Sequence, residues 1–302
     1  MDTFSAYKIF VQVIETGGFS AAARELSISK SSISKQVSQL EDHLGARLLN
    51  RTTRRLSPTE IGQAFYQRAL RIISEVEEAE QSVNLLHAEP RGLLKINVPM
   101  SFGHHHVAPA LAGFLERYPD IKIDMTLNDR VIDVIDEGFD VAIRIARLPD
   151  STLIAKRLAP FRAAVVASPE YWEKHGKPKT PHDLEHHNCL IYSYLSTGDT
   201  WQFQDDDGPV RVKVSGNLRA NNGDALHAAV LDGLGVLAGP SFIVGEDIRT
   251  GKLQTVLSDY METDLSIYAV YPHNRHLSAK VRAFVDDMSA RFSGQPYWDS
   301  FS

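Results

Sequence analysis

The residues between positions 29 and 38 carry short hydroxyl groups and lysines at helical spacing, with no acidic residue among them. At about 100° per residue, these polar positions lie on one side of a helix and apolar positions lie on the other. Hydroxyl and ammonium groups form hydrogen bonds with base edges and phosphate oxygens. The pattern therefore predicts a helix that contacts nucleic acid through these residues: Ser29, Lys30, Ser31, Ser32, Ser34, Lys35 and Ser38.

The opposite side of this helix is predicted to be buried. Its four apolar residues fall within about 40° of one another on a helical wheel: Ile33, Val37, Leu40 and Leu44. The first acidic residues, Glu41 and Asp42, come at the far end of the helix. A solvated amphipathic helix without a partner is the alternative interpretation, and the flanking segments argue against it.

Two helices are predicted before this one. Ser20 suits the N-cap of a short helix, and the alanines at 21–23 let the following helix pack closely. An earlier helix ends at Gly17-Gly18 and carries four residues predicted to face inward: Phe4, Phe10, Val13 and Ile14. The order is that of a helix-turn-helix, which places its second helix in the major groove of DNA.

A basic hairpin is predicted to follow. Arginines at 47, 51, 54 and 55 crowd nine positions, with threonines between them. Such a wing can lie on the phosphate backbone or insert an arginine into the minor groove. The wing residues predicted to contact DNA are Arg51, Thr53, Arg54 and Arg55.

Residues 1–62 resemble the winged helix-turn-helix of LysR-type transcriptional regulators. The family pattern is matched by five segments: Leu40-Glu41, Leu44-Gly45, Leu48-Leu49, the wing arginines, and Thr59-Glu60-Ile61-Gly62. Length and layout extend the resemblance to all 302 residues. Relatives often carry Gln-Pro or Gln-Ser at the positions of Lys30-Ser31, so Lys30 either shifts the base preference or contacts phosphate alone.

A long helix is predicted over 59–88, beginning after Pro58 and ending before Pro90. Its apolar residues recur at spacings of 4 and 3, which is a heptad seam. The seam can pack within its own chain or pair with a second copy, and the resemblance implies a linker helix that forms the dimer. The predicted dimerisation residues are Phe65, Ala69, Ile72, Val76, Ala79, Val83 and Leu86.

After Gly92 the pattern changes to strands that alternate with helices, which predicts βαβ units and mainly parallel sheets. The fold class is α/β overall, with an all-α winged helix-turn-helix at 1–58, the linker helix at 59–90 and an effector-binding domain at 91–302. By resemblance, this last domain has two lobes like those of periplasmic solute-binding proteins. Lobe I covers about 91–162 and 267–302, and lobe II covers about 163–266.

Two lobes enclose a cleft, where a small molecule is expected at strand ends and helix starts. The predicted effector-binding residues are Met100, Ser101, Phe102, Gly103, Asn128, Arg130, Arg147, Thr200, Trp201, Phe203, Asn222 and Gly223. Ser101 matches the family position where a hydroxyl meets the effector. Two arginines and two helix starts suit a small carboxylate, unless Arg130 and Arg147 pair with nearby acids.

Composition sets the outer limits. The chain is 43% hydrophobic and 23% charged, and no apolar run approaches the roughly 20 residues that span a bilayer. The net charge of −6 is unevenly distributed, since residues 1–60 carry eight basic and six acidic residues while the remainder carries 24 and 32. Residues 1–60 therefore carry a net charge of +2 and the remainder −8, so the predicted DNA-binding region is the positively charged part of the chain.

The N-terminus lacks a basic, apolar signal peptide, and the single cysteine, Cys189, excludes an internal disulfide. Given the family, the expected location is the bacterial cytoplasm, with nucleoid association when bound. Other motifs are rejected: neighbouring residues in His104-His105-His106 point about 100° apart on a helix, and Gly233-x-Gly235-x-x-Ala238 follows a helix rather than a strand. No metal, cofactor or enzymatic activity is predicted.

The sequence thus predicts a sequence-specific DNA-binding regulator of the LysR type, controlled by a small-molecule effector between the two lobes. Its expected partners are double-stranded promoter DNA, RNA polymerase, an effector for which a carboxylate is suitable, and further copies in a homodimer or homotetramer. The alternatives are a small-molecule binding protein, or an architectural DNA-binding protein without regulated promoter specificity.

Overall fold

The computed structural model describes residues 2–51, 56–82, 89–147, 153–261, 264–272 and 277–300. The chain divides into two compact units, Met1–Ala88 and Glu89–Ser302. Each unit has its own apolar core, and unit 2 contains two large cores and a smaller cluster of Val134, Ala142, Tyr268 and Val270.

Unit 1 begins with three helices: α1 (Thr3–Glu15), α2 (Phe19–Glu25) and α3 (Lys30–Leu44). Phe10, Ile33 and Leu40 are fully buried where these helices pack together. Gly45 ends α3 in the left-handed conformation at φ 64°, which glycine adopts without strain. The predicted order of helices is confirmed.

Three local predictions in unit 1 are wrong. Ser20 lies inside α2, whose N-cap is Gly18, so the serine caps nothing. Leu44 is 38% exposed rather than part of the buried stripe, because α3 ends at this residue. Phe4 is half-buried outside the core and lies under the Lys8 ammonium group, 4.7 Å from its ring centre.

The wing is an antiparallel pair of β1 (Leu49–Arg51) and β2 (Leu56–Pro58), with Arg51 opposite Leu56. Its predicted tip residues Thr53, Arg54 and Arg55 lie outside the described residues. Helix α4 (Glu60–Ser82) follows directly, and its predicted continuation over 83–88 also lies outside them. Thr59 caps α4, because its Oγ1 accepts a hydrogen bond from the Gly62 N–H at 2.9 Å.

Lobe I of unit 2 is built on a five-stranded sheet in the order β4-β3-β5-β14-β6. Its strands are β3 (Gly92–Val98), β4 (Ile121–Leu127), β5 (Val141–Ala146), β6 (Leu153–Pro160) and β14 (Ser266–Pro272). Between β3 and β4 run α5 (Met100–Phe102), a π-helical turn (Gly103–Val107) and α6 (Ala108–Arg117), and α10 (Ala279–Phe292) closes the core. A short 3₁₀ helix, Tyr297–Asp299, follows α10.

Lobe II contains a three-stranded sheet in the order β12-β7-β13, a hairpin of β9 and β10, and a short pair of β8 and β11. These strands are β7 (Ala163–Ala167), β8 (Ile191–Tyr192), β9 (Thr200–Asp205), β10 (Gly208–Lys213), β11 (Arg219–Ala220), β12 (Leu237–Pro240) and β13 (Gln254–Val256). Its helices are α7 (Pro169–His175), α8 (Gly223–Leu231) and α9 (Ser241–Arg249), with 3₁₀ turns at Pro181–His186 and Ser258–Tyr260.

The chain passes from lobe I to lobe II between Pro160 and Ala163, and it returns between Val256 and Ser266. Because β7 pairs antiparallel with both β12 and β13, the prediction of mainly parallel sheets is wrong for this lobe. In lobe I, β14 is likewise antiparallel to both of its neighbours.

Residues 134–138 form a single turn. Asp133 caps its start, because its Oδ1 accepts from the N–H groups of Ile135 and Asp136 at 2.8 and 3.0 Å. Gly138, in the left-handed conformation at φ 73°, ends it. Within the described ranges, none of the helices combines the length and apolar character needed to cross a lipid bilayer.

Candidate functional site

Helix α3 presents the polar face that the sequence predicts. Lys30, Ser31 and Lys35 are exposed, and Ser34 and Ser38 are half-buried beside them. Ser29 is the N-cap: its Oγ accepts from the Ser32 N–H at 3.1 Å and lies 3.0 Å from Ser31 Oγ. The start of α3 is therefore held by hydroxyls and leaves its lysines extended into solvent.

A buried carboxylate joins α3 to the base of the wing. Glu41 is 8% exposed, and its Oε1 accepts from the N–H groups of Leu48 and Leu49 at 2.9 and 3.1 Å. Leu49 is the first residue of β1. The wing strand therefore starts from a point fixed against the C-terminal end of α3.

The same segment is held by the linker helix. The carbonyl oxygen of Leu48 accepts from the Thr59 N–H at 2.9 Å, and Thr59 Oγ1 donates to Arg47 O at 2.8 Å. Gly62 packs so closely that a Cβ atom there would lie 1.9 Å from Leu48 O. Helix α3, the wing and α4 thus converge on one peptide group.

The predicted dimerisation seam is divided by the fold of unit 1. Ala69 is fully buried, and the Phe65 ring lies 5.2 and 5.4 Å from those of Tyr7 and Phe10, so both residues pack within their own chain. Ile72 is 38% exposed and Val76 is half-buried. Ala79 lies on the described backbone of α4, whereas Val83 and Leu86 lie outside the described residues.

Unit 2 contains a cleft of about 1190 Å³ between its lobes. Eight predicted effector-binding residues line it: Ser101, Phe102, Asn128, Arg130, Arg147, Trp201, Phe203 and Gly223. Phe102, Trp201 and Phe203 are at most 5% exposed and belong mainly to the cores on either side. The polar residues of this set are therefore the groups with which a bound molecule could form hydrogen bonds or ion pairs.

Four predicted residues do not line the cleft. Gly103 faces the core of lobe I, where a Cβ atom would lie 2.4 Å from Leu127 Cδ2. The Asn222 amide donates to Met100 Sδ at 3.1 Å, so these two side chains contact each other. Thr200 lies at the first position of β9 and pairs with Lys213.

Both helix starts at the cleft already have partners from the chain itself. The Met100 N–H donates to Asp129 Oδ1 at 2.7 Å, and the Ala225 N–H donates to Asn222 Oδ1 at 3.0 Å. Asp224 lies in the first turn of α8. Its two carboxylate oxygens bond Ser101 Oγ at 2.9 Å and His105 Nε2 at 2.7 Å, both across the lobe boundary.

The two predicted arginines have different partners. Arg147 Nε pairs with Asp264 Oδ1 at 2.6 Å, and both side chains are more than half exposed. Arg130 Nε lies 3.5 Å from the Tyr194 hydroxyl, and this contact raises the pKa of Arg130. The pKa of Tyr194 is lowered by its contact with the Asn221 amide and then by the contact with Arg130. The expected pairing with a nearby acid is thus found for Arg147.

Several residues that line the cleft were not predicted from the sequence. Gln202, Gln204 and Arg211 lie on the outward face of the β9–β10 hairpin, with Gln202 opposite Arg211. The alternation in Thr200–Asp205, where Trp201 and Phe203 are buried, is the signal that could have identified this hairpin. Tyr192 also lines the cleft, where burial and the Asp129 carboxylate raise its pKa.

His106 lies at a buried contact between the lobes. Its Nε2 donates to the Phe242 carbonyl at 2.8 Å, and its Nδ1 accepts from the Tyr297 hydroxyl at 2.6 Å. Burial lowers the pKa of His106 to about 4, so the imidazole is neutral at physiological pH.

Cys189 is fully buried, and burial raises the pKa of its thiol to about 12. Among the described residues, no group of three or more His, Cys, Asp or Glu side chains is placed to hold a metal ion.

Two family models match the chain. One is the bacterial regulatory helix-turn-helix protein of the lysR family, over residues 4–63, and the other is the LysR substrate binding domain, over residues 87–293. They match unit 1 through the start of α4, and most of unit 2.

Relatives match over nearly the whole chain. An uncharacterized HTH-type transcriptional regulator of Haemophilus influenzae is 40% identical and covers 93% of this chain and 98% of the relative. The structure of CrgA, a LysR-type transcriptional regulator from Neisseria meningitidis, is 36% identical, with a TM-score of 0.63 and coverage of 96% and 99%. Full-length AphB, a virulence activator of Vibrio cholerae, is 28% identical, with a TM-score of 0.61 and coverage of 95% and 98%. These names are those of transcriptional regulators and not of enzymes.

Proposed function

Because this chain belongs to the LysR family of transcriptional regulators, we propose that it binds specific promoter DNA and that a small molecule in the cleft of unit 2 controls that binding. The observation that carries the proposal is the exposed face of α3, the second helix of the helix-turn-helix, which presents lysines and hydroxyl groups. Such a face reads base edges and contacts phosphates.

We assign the DNA contacts to the two parts of unit 1 that Glu41 joins. The face of α3 from Lys30 to Ser38 enters the major groove, and the wing from Arg51 to Arg55 lies on the backbone. Since Lys30 and Lys35 are exposed on α3, each neutralises phosphate charge or reads a base edge. The exposed Ile72 and half-buried Val76 on α4 support pairing with a second copy, which then presents two recognition helices to a two-fold site.

The cleft supplies the control. A molecule that binds one arrangement of the lobes more tightly than another shifts the population toward that arrangement. In a dimer or tetramer, such a shift changes the spacing or bend of the bound DNA, and with it the contact with RNA polymerase. The protein acts in the bacterial cytoplasm, on the nucleoid.

The experiment is a footprint of the full chain on the DNA upstream of its own gene, at two salt concentrations. We expect protection over an interrupted two-fold repeat, weaker at higher salt because released counterions favour binding. Lys35→Ala is expected to lower the affinity about 5- to 20-fold, and to reduce its salt dependence.

The matched control is Lys174→Ala, which removes an exposed lysine from α7 in unit 2. Equal losses in both variants would show that Lys35 has no special contact. Smooth protection without a repeat would favour an architectural DNA-binding protein over a regulator of particular promoters.

A further inference from the structure

A carboxylate of the protein itself is bonded to Ser101, a residue that lines the cleft. Asp224 Oδ2 accepts from Ser101 Oγ at 2.9 Å, and Asp224 Oδ1 bonds His105 Nε2 at 2.7 Å. Ser101 and His105 lie in lobe I and Asp224 lies in lobe II, so one carboxylate holds both lobes. Ser101 and Gly223 line the cleft, and Asp224 follows directly after Gly223.

The bond to Asp224 decides what Ser101 can offer to a ligand. Since a carboxylate only accepts, the Ser101 hydroxyl directs its proton toward Asp224, and its lone pairs are left to accept. The hydroxyl is also closely surrounded, because the Ser101 residue is 5% exposed and a Cβ atom on Gly223 would lie 3.3 Å from Oγ. Ser101 therefore presents an acceptor to the cleft.

The helix starts reinforce this polarity. An incoming carboxylate would meet Asp129 at the Met100 N–H and Asp224 in the first turn of α8. An acidic residue in the first turn offsets the positive end of a helix. Two carboxylates thus lie where the sequence predicts two helix starts that attract an anion.

Part of the cleft lining is apolar. Phe161, Leu237 and Ile243 line the cleft and suit the hydrocarbon body of a ligand. A molecule with an apolar body and one polar end would place that end at Ser101.

We infer that Asp224 is a specificity-determining residue, and that the Ser101 end of the cleft takes a hydroxyl or ammonium group and excludes a carboxylate. The inference rests on the proposed function, because it names the chemistry of a ligand for the proposed effector cleft. A donor on the ligand bonds the Ser101 lone pairs, whereas a carboxylate finds no donor in the Ser101 hydroxyl and is repelled by Asp224, to which that hydroxyl is bonded.

The test uses benzyl alcohol, benzylamine and benzoate, which share a ring and differ in the polar group. Their binding to the full chain is measured by calorimetry and by the shift in Tm up to 10 mM. We expect the alcohol and the amine to bind the native sequence at least 10-fold more tightly than benzoate. Asp224→Asn should reduce that preference at least 10-fold, and Asp224→Glu should retain it.

The matched control is Asp232→Asn, which removes the same charge at the exposed C-terminal end of α8. It should leave the preference unchanged. The inference is overturned if benzoate binds best, if Asp224→Asn and Asp232→Asn behave alike, or if none of the three probes binds.

A footprint without any probe is run on the same preparations. Lost promoter protection with an intact preference among probes would refute the proposed function and leave the polarity of the cleft standing. Intact promoter protection with no preference among the probes would refute the inference about the cleft and leave the proposed function standing.

Discussion

Glu41 in unit 1 and Asp224 in unit 2 both use a carboxylate to join separate elements, but in opposite settings. Glu41 is 8% exposed and accepts from two backbone N–H groups. The Asp224 side chain is 35% exposed and bonds the side chains of Ser101 and His105. The two N–H groups that bond Glu41 are buried, so water does not replace this carboxylate as their acceptor. The contacts of Asp224 are more exposed, so water or a ligand can replace its partners.

The contrast matches the functions proposed for the two units. DNA contacts require a helix and a wing in a constant arrangement, and a buried acceptor for backbone donors provides it. A cleft that responds to a small molecule requires contacts that open at little cost. Burial of the bonded groups, and not the type of residue, is what separates the two cases.

Removing the Glu41 carboxylate should have the largest effect. Glu41→Ala leaves two buried N–H groups without an acceptor, so unit 1 should lose about 3 kcal/mol of stability and DNA affinity should fall at least 10-fold. Far-UV circular dichroism during urea unfolding measures the stability. Glu41→Gln keeps an oxygen acceptor and should retain more of it.

The chain contains its own controls for this prediction. All three tryptophans, Trp172, Trp201 and Trp298, lie in unit 2, so the unfolding that their fluorescence reports should not change. Asp42→Ala removes an exposed acid next to Glu41. A comparable loss in that variant would mean that charge, and not the buried acceptor, stabilises unit 1.

The buried contact of His106 in unit 2 should affect stability more as Glu41 does than as Asp224 does. His106 is 6% exposed, and its pKa lies near 4 against 6.5 for an unperturbed histidine. The unfolded chain therefore binds more protons than the native one between these values, and stability should fall as pH drops from 6.5 to 4. The loss should reach at most about 3 kcal/mol, discounted for partial exposure.

Trp298 fluorescence suits this measurement, because the Trp298 ring lies 4.4 Å from that of His106. His106→Gln should flatten the pH dependence between 4 and 6.5, at the cost of lower stability at neutral pH. His104→Gln, at an exposed position two residues earlier, should leave the dependence intact. If both variants flatten the pH dependence of stability equally, the role of burial is contradicted.

The smallest effect is expected at Asp224. Asp224→Asn should change the free energy of unfolding by less than about 1 kcal/mol, because exposed pairs contribute little. Tryptophan fluorescence during urea unfolding would report it. A loss as large as that of Glu41→Ala would break the comparison, since the lobe contact would then be as fixed as the base of the wing.

Local patterns predicted the DNA-binding unit well. Ile33, Val37 and Leu40 repeat with the period of a helix and are all buried. Gly45 ends that helix in the left-handed conformation, which few residue types other than glycine adopt without strain. The sequence patterns predicted less where contacts with another element determine the environment of a residue. Phe65 fits a heptad seam, yet its ring packs against Tyr7 and Phe10 from α1.

The cleft was predicted less well, because its chemistry depends on pairs that are distant in sequence. Arg147 meets Asp264 and Ser101 meets Asp224, which are 117 and 123 positions apart. No spacing rule connects such residues. The predicted cleft glycine, Gly103, faces the core because β4 places Leu127 against it.

The sequence by itself determined the family, the helix-turn-helix, the positions of most strands and the location of a cleft, since periodicity and short motifs act over a few residues. Only the tertiary structure decided that Glu41 holds the wing, that the helix starts at the cleft are already bonded, and that Ser101 is committed to Asp224. These outcomes depend on which polar groups meet after the chain has folded back on itself. Hydrogen bonds act over about 3 Å, a distance that the order of residues does not record.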